Sequence, residues 1–111
     1  MSAAALRHAI AVYRNTVLTG NHRQGPDLHL AVANDAEHVL ARTTGAPLPA
    51  HPPTAHCKRT IREALGEVYA ELAVCCYSMP DCTSPLAARK KAAELLGIDY
   101  REFLKVRRAA A

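Results

Sequence analysis

The run Ala92-Ala93-Glu94-Leu95-Leu96-Gly97-Ile98, followed at once by Asp99-Tyr100-Arg101-Glu102, forces a corner that constrains the fold more than any other part of the chain. Helix-forming residues lead into a glycine, which enters the left-handed conformation that ends a helix at a lower cost than a residue bearing a Cβ. Asp99 then stands where its carboxylate can accept from the free amides of a new helix, with Glu102 three residues on to complete a capping box. Ile98 is placed to fill the angle between the two. Helices joined so tightly cross steeply and leave the outer face of the second one free.

The spacing is that of a twenty-residue helix-turn-helix from Arg89 to Arg108. Ala93 is its small first-helix residue, Gly97 its turn glycine, and Ala92, Leu96, Ile98, Phe103 and Val106 its core positions. On these residues the segment resembles the Fis-type helix-turn-helix of bacterial regulators, over about the last quarter of the chain. The resemblance implies a DNA-binding module whose second helix enters the major groove of double-stranded DNA. Tyr100, Arg101 and Lys105 then fall on the exposed side of that helix, and Arg89, Lys90, Arg107 and Arg108 are the expected phosphate anchors. Arginine reads guanine through two hydrogen bonds, and lysine more often neutralises phosphate. Asp99, Glu102 and Leu104 depart from a typical reading helix: two are acidic and one is apolar where polar residues are usual. In Fis-like proteins the helices before the motif make a dimer that spaces two recognition helices by about 34 Å. By that resemblance the first two helices, or the long third one, are the expected homodimer surface.

Charge is concentrated on the same segment. Residues 84–111 hold seven Lys and Arg against three Asp and Glu, so they alone carry the net charge of +4 found for the whole protein. A basic patch attracts the phosphate backbone and makes binding fall with salt. The blander account is a solvated helix face, since helix, glycine stop and helix is also how compact helical proteins turn a corner.

A chain of 111 residues without tryptophan, with 5% aromatics, and without strand-like alternation predicts one all-α domain. No apolar run is long enough to span a bilayer, and Met1-Ser2-Ala3-Ala4-Ala5-Leu6-Arg7-His8 lacks the marks of a secretion signal, so a cytoplasmic location is expected, without a membrane partner. Leu6, Ile10, Tyr13 and Val17 predict a first helix over 2–18, which Gly20-Asn21-His22-Arg23-Gln24-Gly25 would end. Pro26 suits the first turn of a second helix, with Leu28, Val32, Ala36 and Val39 as its stripe to about Thr43 and Gly45 as its stop. The two should form an antiparallel hairpin, residues 1–44.

Residues 45–54 hold four prolines and predict an extended path, either a linker or a strap across the domain. Beyond it, 55–111 reads as a three-helix unit. Its longest helix is expected over 55–78, capped by Thr54, with Ile61, Leu65, Val68, Leu72, Cys75 and Met79 spaced as in a heptad. Pro80 ends it. Ser84-Pro85 restarts the chain as cap and first-turn proline for a helix over 85–96.

Cys57, Cys75, Cys76 and Cys82, with His51 and His56 nearby, are enough ligands for zinc, yet no Cys-x-x-Cys pair is present. On one helix Cys57 and Cys75 would stand about 27 Å apart and could not share an ion. Cys76, Cys82 and a histidine from the linker is the one smaller set to weigh, against free buried thiols acting as small apolar residues. No cofactor is predicted. No nucleophile elbow, phosphate loop or paired carboxylates mark an enzyme. His8, His29 and His38 are read as helix-surface or boundary residues. The competing function is a helical protein-interaction module or inhibitor, of the kind made by a phage or other mobile element. Apolar residues on more than one side of the hairpin (Leu28, Val32, Leu30, Leu40) would be covered by its partner.

Overall fold

Ser2 starts the first helix by accepting the Ala5 amide on its hydroxyl at 3.1 Å. In the computed structural model, which describes residues 2–19 and 26–110 with Pro26 and Ala110 as backbone only, α1 spans Ala3–Thr19 and α2 spans Pro26–Thr44. The expected helix end at 20–25 lies outside the described residues. α1 buries Leu6, Ala9, Ile10, Tyr13 and Val17, as its periodicity requires. α2 runs antiparallel to it. The Arg14 and Glu37 side chains pair between them at 2.9 Å.

The buried face of α2 differs from the expected stripe. Leu28 is 52% exposed and Val32 only half-buried, while His29, Ala33, Asp35, Ala36, His38 and Val39 turn inward. Buried polar groups need partners, and here they have them. His29 Nδ1 shares a 2.9 Å hydrogen bond with the Tyr13 hydroxyl, and His38 Nε2 lies 2.6 Å from the His51 carbonyl oxygen. The two histidines are therefore interior residues, correcting the surface assignment. Leu30, Val32 and Leu40 rest against the core, so the fold itself absorbs most of the hairpin's apolar excess.

Gly45 closes α2 with φ of +75°. The proline-rich segment that follows is a strap fastened to α2. The Asp35 carboxylate accepts the Thr54 amide at 2.8 Å and also the Thr54 hydroxyl. Asn34 donates to the carbonyls of His51 and Pro52, and Arg42 donates to that of Lys58. With Thr54 committed to Asp35, it does not cap the next helix. α3 spans Ile61–Tyr77 and begins six residues later than expected. Thr60 is its cap, accepting the Glu63 amide at 3.1 Å. Cys57 thus belongs to the strap and not to the stripe of α3.

α3 is the central helix, in contact with all the others. Its Leu65, Val68, Leu72 and Cys75 are buried along the expected stripe. α4 spans Pro85–Leu96 and α5 spans Tyr100–Arg107, followed by a short 3-10 turn at Arg108–Ala110. Among the described residues the fold is all-α with five helices, and one apolar core takes residues from each. Among the described residues no helix is long and apolar enough to cross a membrane.

Candidate nucleic-acid interface

The candidate interface begins with the cap of α4. The Ser84 hydroxyl accepts the Ala87 amide at 3.1 Å, and Pro85 occupies the first turn, where its missing donor costs nothing. α4 buries Ala88, Ala92, Ala93 and Leu96. It stops at Gly97, whose φ is +71°. The Gly97 amide donates to the Glu94 carbonyl at 3.0 Å and the Ile98 amide to that of Ala93 at 3.1 Å, the paired bonds of a Schellman motif. Ile98 packs against the core from the corner.

Asp99 occupies the cap position of α5, yet its side chain makes no capping hydrogen bond. The expected capping box with Glu102 does not form, and both carboxylates are exposed. What fixes α5 is burial. Phe103 and Val106 are inaccessible, and the Phe103 ring stacks on Tyr69 of α3 with centroids 5.4 Å apart and planes 4° from parallel. Leu104 also packs against the core, so it is not an apolar residue offered to a groove.

This packing decides which side of α5 faces outward. Arg101, Lys105 and Arg108 are exposed, and their spacing of four and three residues puts them on one stripe of the α5 and 3-10 turn backbone. Among the described residues no carboxylate forms an ion pair with any of them. Glu102 lies towards Tyr69, where, after burial, its charge helps push the phenol above its usual pKa. An α-helix with its side chains is about 10–12 Å across, and the DNA major groove is about 12 Å wide.

No family model, no curated protein and no solved structure matches this chain. The seven expected contacts divide into three groups. Arg101, Lys105 and Arg108 share the outer stripe. Arg89, Lys90 and Tyr100 cluster where α4 meets α5: Arg89 Nε donates to the Tyr100 hydroxyl at 3.3 Å, and Lys90 Nζ is 6.0 Å from the centre of the Tyr100 ring. Tyr100 is half-buried, its ring stacked beside Phe103, rather than projecting outward as expected. Arg107, also half-buried, lines a cleft against α3 and α4.

A supporting residue escaped the sequence reading. His8 of α1 lies with Nε2 3.0 Å from the carbonyl oxygen of Leu96, and so holds the end of α4 beside the turn. No local pattern marks a contact spanning 88 residues. The thiols are the other group singled out. Cys75, Cys76 and Cys82 are buried, and burial pushes the first two up to about 12. Among the described residues no three His, Cys, Asp or Glu side chains come together as a metal site, and His51 sits on the strap over α2.

Proposed function

We propose that the protein is a small DNA-binding regulator that uses α4 and α5 as a helix-turn-helix on double-stranded DNA. The observation that carries this reading is the outward stripe of Arg101, Lys105 and Arg108 on a helix held from behind by Phe103, Val106 and the Gly97 turn. Positive side chains held on a rigid element, without carboxylate partners among the described residues, are free to displace counterions from phosphates. Lys105 and Arg108 supply phosphate contacts, Arg101 at the start of the helix reaches base edges, and Arg89 and Lys90 anchor the flanking backbone.

The test is a salt series of binding to a fluorescent random duplex, with a light-scattering mass on the same sample. Micromolar binding should weaken as salt rises, with a logarithmic slope of about −0.9 for each phosphate neutralised. A dimeric mass would fit a homodimer that presents two α5 helices. Absence of binding at low ionic strength would reject the reading.

A protein-interaction role is the second reading, and one observation favours it. Leu18 and Leu28 are 74% and 52% exposed on the α1–α2 hairpin, which leaves apolar surface for a partner protein or a second copy.

A further inference from the structure

Small residues on two facing helices leave a space that larger side chains would have filled. Ala70 and Ala73 on α3 and Ala88 on α4 border a cleft of about 310 Å³, at the small end of ligand sites. Val74 and Tyr77 form its apolar wall and remain 42% and 41% exposed. Two cations line the same cleft. Arg107 comes from the end of α5 and Arg89 from α4. Among the described residues neither has a carboxylate in ion-pair contact, and Arg89 spends only its Nε on Tyr100.

Among the described residues, the one acid that lines the cleft is Glu71. Its Oε2 lies 3.8 Å from Nδ1 of the buried His29, and its burial favours the neutral acid more than usual. The balance of charge in the cleft is therefore positive, beside a wall of apolar surface.

We propose that this cleft binds a small amphipathic anion, an aliphatic or aromatic carboxylate whose body lies on Val74 and Tyr77 and whose charge is held by Arg89 and Arg107. Two guanidinium groups give a carboxylate paired, charge-assisted donors, and the apolar wall contributes through the area it removes from water. Ligand binding itself stands apart from the DNA reading. A consequence that rests on that reading is competition, because a carboxylate that engages Arg89 takes one phosphate anchor from the duplex.

The experiment is a calorimetric titration of the whole protein, without DNA, with decanoate below its micelle concentration. Decyltrimethylammonium offers the same chain with the opposite charge, and acetate offers the charge without the chain. Decanoate should bind one to one, at least about tenfold more tightly than either control. Arg107→Gln and Val74→Glu should each weaken it by about tenfold or more. Val74 is exposed, so its variant keeps the proposal testable should the arginine variant fail to fold. Equal binding of the cation, unchanged affinity in both variants, binding of many ligands per chain, or no binding would each overturn the proposal. So would a dimer that must dissociate before decanoate binds, which would show that a second copy covers the cleft. A duplex titration of the decanoate complex then tests competition separately: weakened duplex binding is expected, and unchanged duplex affinity would remove Arg89 from the phosphate anchors while leaving ligand binding at the cleft intact.

Discussion

His8 Nε2 on α1 and the carbonyl oxygen of Leu96 at the end of α4 are hydrogen-bonded at 3.0 Å. A helix end leaves its last carbonyls without intrahelical partners, and this one is satisfied by a side chain from the other end of the chain. The bond ties the N-terminal hairpin to the residue before the Gly97 turn. It makes the hairpin a support for the orientation of α5.

Replacing His8 by alanine removes that donor from a partly exposed site. A loss of about 0.5–1.5 kcal/mol of unfolding free energy is expected, measured by urea denaturation. Amide exchange at Gly97 and Ile98 should rise more than exchange in the middle of α3. Unchanged stability and exchange would show that water replaces the bond at no cost.

Gly97 has open space where a Cβ would stand, yet its φ of +71° strains any residue that carries one. Gly97→Ala should therefore destabilise by about 1–2 kcal/mol without a packing clash. Gly97→Asn should lose less, because asparagine tolerates this conformation better. Thermal melts of the two variants check the order. Equal losses would mean that the turn relaxes.

The buried thiols give stability a dependence on alkaline pH. Cys75 and Cys76 ionise near 9.0 when unfolded and are pushed up to about 12 when folded, chiefly by loss of solvent. The folded form holds its protons longer, so this contribution is complete below pH 9 and is lost as pH rises from there towards about 12. Cys75→Ser and Cys76→Ser should flatten that decline, followed by denaturant midpoints across the window. In the native protein iodoacetamide should modify half-buried Cys57 before either of them.

Arg101 and Lys105 project from α5 away from the core, so replacing both by alanine should leave the melting temperature within a few degrees of the parent. DNA binding should fall at least about tenfold, with a shallower salt slope. Retained affinity in that double variant would reject α5 as the recognition face.

Ser84-Pro85, Gly97 and the stripe from Leu65 to Cys75 were legible from the sequence because their causes are local. A cap, a fixed φ, a left-handed turn and an apolar period each act within a few residues, and the structure places α4, the turn and α5 where those signals put them. The all-α architecture follows from the same signals. The start of α3 was not legible. Thr54 and Thr60 are both chemically suited to cap it, and the choice was made by Asp35, nineteen residues before Thr54, which claims both Thr54 donors.

Tertiary structure alone decided the polar part of the interior. His29 and His38 are polar enough to lie on a surface, and they are buried because Tyr13 and the His51 carbonyl complete their hydrogen bonds. It also sorted the basic residues, turning Arg101, Lys105 and Arg108 outward while Arg89 and Arg107 line the cleft behind. Sequence determined which segments are helical and that their C-terminal end is basic, because propensity and charge belong to the residues themselves. Which of those charges faces outward depends on how α5 rolls against α3, and that was set when Phe103 met Tyr69.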